Sequence, residues 1–228
     1  MIYTHIPYTP KEHGKNLGYA YNQFMKMLPN DDDWACFLDH DAMFTTSNWY
    51  SQLSDIIDRN PNIGAFGART NRINCTYQLV GNIDVYNHDI AYHRKIGNHI
   101  QNEWYDDLLE ISGNKIKRGL VEGNLVSRGF SGVLILIQKQ TWKKINGFKK
   151  DGFNNIDNDL RVRLFKQNIP FCIMNGVYVY HWYKADAPYK RAVDKFNIIN
   201  ETYKKDNKCN FQLKNIFLYS GFRDELPR

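Results

Sequence analysis

The chain has 228 residues, 43% of them hydrophobic and 24% charged, which fits one compact soluble domain and excludes a disordered or fibrous chain. A formal net charge of +6 and a pI near 9.0 suit a phosphate-bearing ligand, an anionic membrane surface or nucleic acid, and select none of them. No apolar run of 18 residues occurs, residues 1–15 lack an apolar stretch, and the four cysteines form no C-x-x-C pair; a spanning helix, a signal peptide and a zinc or redox motif are therefore not expected.

Residues 2–7 (IYTHIP) predict a short strand ended by Pro7, and Pro10 and Gly14 mark a loop. From Asn16 the apolar residues Leu17, Ala20, Tyr21, Phe24, Met25 and Leu28 recur at helical steps, with Asn16 as the N-cap and Pro29 as the stop. Residues 34–38 (WACFL) form a continuous apolar run, the mark of a strand covered on both faces. A helix is expected over roughly 48–59, a Gly-broken strand over 63–68, and an amphipathic helix near 99–111. Residues 133–137 (VLILI) are the strongest strand, followed by a short helix and a turn at Gly147. A helix over 156–167 precedes two strands, 171–174 and 177–180, read as a hairpin around Asn175-Gly176. A last helix is expected over 188–204. Cys36 and Cys172 lie in apolar runs and are expected as buried thiols in a reducing, cytoplasmic setting. Alternating strands and helices predict an α/β fold.

Asp39 and Asp41 follow the apolar strand 34–38, where ligands of open α/β sheets bind. Two carboxylates on one side of an extended chain make a hard-oxygen site for Mg²⁺ or Mn²⁺, with places left for substrate phosphates. The other reading of the same tripeptide is a cap on the next helix. Asp157 and Asp159 open the helix that carries Arg161 and Arg163, and either cap it or offer a base for an acceptor hydroxyl. His181 ends a strand and is either structural or a third metal ligand. Arg69, Asn71 and Arg72 either reach a ligand or form a solvated loop. Trp104 and Tyr105 are candidates for stacking on a sugar or for the core.

The stretches FLDHDAMF (37–44), GFSGVLILIQKQTWKKINGF (129–148), NIDNDLRVRL (155–164) and VYVYHWY (177–183), with NLGYAYN (16–22), resemble in order and spacing the GT-A glycosyltransferases. The nearest resemblance is to family 2 and the polypeptide N-acetylgalactosaminyltransferase-like group, and it covers about half the chain. It implies a GT-A (Rossmann-like) fold with a mixed, mostly parallel sheet flanked by helices, spanning 1–185, with 186–228 as a C-terminal helix and tail. It implies a nucleotide-sugar donor, with UDP as the nucleotide, and an acceptor that is a glycan, protein, lipid or modified nucleic acid. Asp39, Asp41 and His181 would bind the divalent ion, Mn²⁺ or Mg²⁺, and Asp39 also the donor. Asp157 would be the catalytic base. Ser131 and Gly132 would wall the sugar, Arg163 would match the family's Arg, and Thr4, Ile6, Pro7, Tyr8, Asn16, Gly18 and Asn22 would hold the nucleotide.

Two departures stand out. Ile156 occupies the place of the family's Glu, and only one strand and one helix precede Asp39, so the nucleotide half is abbreviated. Other classes compatible with the residues are a nucleotidyltransferase on a similar sheet and a non-catalytic carbohydrate or nucleic-acid binding module.

Overall fold

The computed structural model describes residues 1–9, 14, 16–73, 75, 78–81, 83–111, 118–121, 124–127, 130–149 and 155–182. The helix expected over 188–204 and the tail lie outside the described residues.

In chain order the elements are β1 (Ile2–His5), α1 (Leu17–Met27), β2 (Trp34–Leu38), β3 (Ala42–Phe44), α2 (Trp49–Arg59), β4 (Ala65–Thr70) and α3 (Ile90–Trp104). There follow β5 (Leu108–Glu110), β6 (Arg118–Val121), β7 (Asn124–Ser127), β8 (Leu134–Gln138), α4 (Lys139–Lys144), α5 (Ile156–Lys166) and β9 (Phe171–His181). The main sheet has seven strands in the order β1-β2-β8-β4-β9-β3, with β5 also on β9; β6 and β7 pair separately. Only β1–β2 and β4–β9 pair in parallel, whereas β2–β8, β4–β8, β3–β9 and β5–β9 are antiparallel. The sheet is thus mixed, as expected, but its ladders are mostly antiparallel rather than mostly parallel, because β8 is inserted between β2 and β4 in the opposite direction and β3 and β5 run against β9.

The continuous apolar strands are explained by the two layers of core. On β2, Trp34, Cys36 and Leu38 pack with Leu53 and Ile56 of α2 and Ile96 and Ile100 of α3, while Ala35 and Phe37 pack with Tyr21 and Met25 of α1 and Leu160 and Leu164 of α5. On β8, Leu134 and Leu136 join the first layer, and Ile135 and Ile137 the second. Alternate residues point to opposite faces, so a strand sandwiched between helices must be apolar at every position. Each fully buried Leu, Ile or Phe contributes about 1.5–3 kcal/mol. Cys36 and Cys172 are buried free thiols, and burial pushes both up to about 12. No helix among the described residues is long and apolar enough to cross a membrane.

Two further expectations need correction. Residues 171–181 are one strand, and Asn175-Gly176 is a bulge in it: Met174 pairs with Ala68 and Tyr178 with Arg69. The bulge stands because Asn175 accepts from the Nε and Nη2 of buried Arg69 and donates to Asp107, while Gly176 O accepts from Gln52. Gly176 also fits under the end of α3, where a Cβ would lie 2.1 Å from the Trp104 carbonyl oxygen. The helix expected at 99–111 instead starts at Ile90 behind the Asp89 cap and stops at Trp104, and Leu108–Glu110 pairs with the edge of β9.

Candidate active site

The carboxyl ends of β2, β4 and β9 and the amino end of antiparallel β8 meet at one edge of the sheet. Asp39 leaves β2 there, and its N–H bonds the Val133 carbonyl at 3.1 Å. The chain then turns through His40 and Asp41, with the Ala42 N–H on the Asp39 carbonyl, and returns as β3. The pair of aspartates therefore sits in a tight turn rather than on extended backbone. It caps no helix, since α2 begins behind Asn48.

Because Ala42 is in register with His181, this turn sets both carboxylates beside the end of β9. His181 Nε2 lies 3.2 Å from Asp41 Oδ1 and 3.7 Å from Asp39 Oδ2, and ligand atoms of the three residues lie within 4.8 Å of one another. His181 Nδ1 is 3.0 Å from the Arg72 carbonyl. A carbonyl only accepts, so Nδ1 carries a proton and Nε2 is the atom aimed at the carboxylates. Metal-binding histidines are usually held in this way, one ring nitrogen donating to a backbone carbonyl or carboxylate while the other faces the ion. His93, also buried, differs: Nε2 meets the Asn87 carbonyl at 2.7 Å and Nδ1 the Tyr178 hydroxyl at 2.7 Å, partners that need no cation.

Next to the cluster is a cleft of about 180 Å³ lined by Leu17, Tyr21, Asp39, Ser131, Gly132, Ile135, Asn155, Ile156 and Asp157. Asn155 takes a left-handed conformation (φ 64°), as Asn tolerates better than most residues, and turns the chain into α5. Asp157 in the first turn accepts the Gly132 N–H at 3.1 Å and the Asn158 N–H at 2.8 Å. Burial pushes its carboxyl above the usual range against those bonds. Burial also pushes Asp39 up to about 6, opposed by His181 and aided by the charges of Asp41 and Asp157. Asp41 is held below the usual range: burial acts upward, and the hydrogen bond and charge of His181 outweigh it. Two carboxyls of raised affinity for protons thus face one cleft, beside a third that stays ionised.

The structure groups Asp39, Asp41 and His181, sets Asp39 with Ser131, Gly132 and Asp157 in the lining of the cleft, and gives several other predicted residues contacts within the fold. Asn16 caps α1 through the Tyr19 N–H. Gly18 is where α1 touches the 147–149 segment; a Cβ there would sit 1.8 Å from the Lys149 carbonyl oxygen. Asn22 bonds the Phe148 N–H and carbonyl and the Trp142 indole. Arg163 pairs with Asp159 and reaches the Ile145 carbonyl. Thr4, Ile6 and Tyr8 are exposed along and beyond the edge strand β1, and with Pro7 lie outside the lining of the cleft. Asn16, Gly18, Asn22 and Arg163 are likewise absent from that lining. Arg69, Asn71 and Arg72 form no solvated loop but are buried. Trp104 packs on the core and the Tyr105 hydroxyl donates to Asp55.

Sequence reasoning missed Tyr21, which follows the apolar period of α1 yet lines the cleft, and the backbone partners of the side-chain amides of Asn71, read as reaching a ligand or lying in a solvated loop, and of Gln78. No local signal marks the last two, because their partners are about 110 and 53 residues away. The chain matches no protein-family model and no curated protein.

Proposed function

We propose that the chain is a metal-dependent glycosyltransferase that moves a sugar from a nucleotide-sugar donor to a hydroxyl-bearing acceptor. The observation that carries this reading is that Asp39 belongs both to the Asp39–Asp41–His181 cluster and to the lining of a cleft whose other wall is Ser131, Gly132 and Asp157. Both carboxylates and the imidazole suit a divalent ion, and the nitrogen donor favours Mn²⁺ over Mg²⁺. The chemistry such an ion supplies is neutralisation of the charge that grows on a diphosphate as the sugar departs.

This chain's own residues would do the rest. The Arg72 carbonyl keeps the His181 ring turned toward the two aspartates. The Ser131–Gly132 wall excludes water from one side of the sugar, and Asp157, poised by burial to take a proton, accepts it from the attacking hydroxyl. The acceptor is a glycan, protein, lipid or modified nucleic acid, and a uridine diphosphate donor is the first to try.

The test is calorimetric titration with UDP, GDP, CDP and TDP, in Mn²⁺ and in EDTA, beside Asp41→Ala. Binding of one nucleotide that requires Mn²⁺ and is lost in the variant is the expected result. Absence of nucleotide binding in every condition would reject the reading.

A further inference from the structure

Two pieces of chain must keep a fixed relation for the Asp39–Asp41–His181 cluster to adjoin the cleft. One is the end of β9, which carries His181; the other is the Ser131–Gly132 turn, whose Gly132 N–H holds Asp157. The stretch that follows β4 grips both. Asn71, fully buried, donates Nδ2–H to the His181 carbonyl at 3.2 Å and accepts the His181 N–H on Oδ1 at 2.8 Å. Its neighbour Arg72 supplies the carbonyl that fixes the His181 ring. Further along, Gln78, also fully buried, makes the same pair of contacts with Ser131: Nε2 donates to the Ser131 carbonyl at 2.9 Å and Oε1 accepts the Ser131 N–H at 2.7 Å. The Gln78 amide also donates to the Ala68 carbonyl at 3.2 Å, which ties the grip to β4.

A carboxamide offers a donor and an acceptor side by side, the same two groups that a neighbouring strand presents. Here it answers one backbone residue at each place where the sheet ends. A carboxylate would lose the donor, and an apolar residue would lose both groups.

We infer that Asn71 and Gln78 are positioning residues for the two halves of the site, the Asp39–Asp41–His181 cluster and the cleft wall. Asn71 fixes the imidazole beside the aspartates, and Gln78 fixes the wall that holds Asp157. The inference rests on the roles proposed above for Asp39, Asp41, His181 and Asp157, and it divides the labour: each amide governs its own half.

The experiment combines backbone amide exchange by NMR with Mn²⁺ titration by EPR, on the full chain and on Asn71→Leu and Gln78→Met. In the unaltered protein the His181 and Ser131 amides are expected to exchange slowly. In Gln78→Met the Ser131 and Gly132 amides should lose at least about tenfold in protection, while Mn²⁺ affinity stays within about twofold. In Asn71→Leu the His181 amide should open and Mn²⁺ affinity fall about 10- to 100-fold, with Gly132 still protected. Uniform loss of protection in both variants, or equal effects on Mn²⁺, would mean general stabilisation and overturn the inference. Should a variant fail to fold, fast exchange of His181 and Ser131 in the unaltered protein overturns it, and slow exchange supports it. If the unaltered protein binds no Mn²⁺, the metal role fails, and the exchange pattern of the variants still decides whether the amides grip their targets.

Discussion

His181 Nε2 stands 3.2 Å from Asp41 Oδ1, and the contact is fixed by backbone pairing on both sides of it. Ala42 is in register with His181, and the Trp182 N–H bonds the Asp41 carbonyl at 2.8 Å. The side chains meet because their strands do, so the pair is preorganised before any ligand arrives.

Removing either partner should therefore cost metal binding without unfolding the sheet. Asp41→Ala and His181→Ala are each expected to lower Mn²⁺ affinity by at least about tenfold. EPR titration checks this, and circular dichroism checks that the secondary structure is retained.

The cluster should also bind metal in a pH-dependent way. A cation must displace the proton that burial keeps on Asp39 up to about pH 6. Mn²⁺ affinity is expected to rise roughly tenfold per pH unit below that value and to level off above it. The metal-free protein has the opposite slope. Asp39 binds its proton more tightly when folded than when unfolded, so its contribution is greatest below the usual carboxylate range and is lost as pH rises through about 6. Thermal melts in EDTA across this window should show the decline, and Asp39→Asn should flatten it.

Asp157→Asn keeps an oxygen for the Gly132 N–H and removes the base. Turnover on the donor identified by calorimetry should fall by about 10²–10⁴. Mn²⁺ affinity should hardly change. Loss of both together would show that Asp157 supports the metal cluster and not the proton transfer.

Gly18→Ala tests whether α1 owes its position to packing. The new Cβ would land 1.8 Å from the Lys149 carbonyl oxygen, a backbone atom that cannot swing aside. A loss of about 1–3 kcal/mol is expected in urea denaturation. An unchanged midpoint would show that the helix can slide.

Much of this architecture could be read from residues in order. The runs 34–38 and 133–137 announce strands covered on both faces, because a five-residue run apolar at every position is of strand length and suits a strand packed between helices. Asp39, Asp41, Asp157 and His181 were legible because polar residues directly flanking apolar elements mark sheet edges and helix starts. The errors have physical causes. Asn175-Gly176 has the composition of a hairpin turn, but the decisive partners are Arg69 and Asp107, which local pattern does not reveal. Leu108 and Ile111 keep a helical period with Ile100 and Trp104, yet the open edge of β9 captures 108–110 as a strand.

The bulge at the middle of β9 has a bearing on which changes of chain length this protein can absorb. Between Met174 and Tyr178 the strand carries three more residues than β4 does between Ala68 and Arg69. Three is odd, so the bulge acts as a phase shifter: faces before it and after it are exchanged relative to an uninterrupted strand. Gain or loss of a single residue at 175–177 would restore the other phase, and His181 would turn its ring away from Asp39 and Asp41. An indel tolerated in most surface loops would here disconnect the imidazole from both aspartates while every residue of the cluster was still present in the sequence.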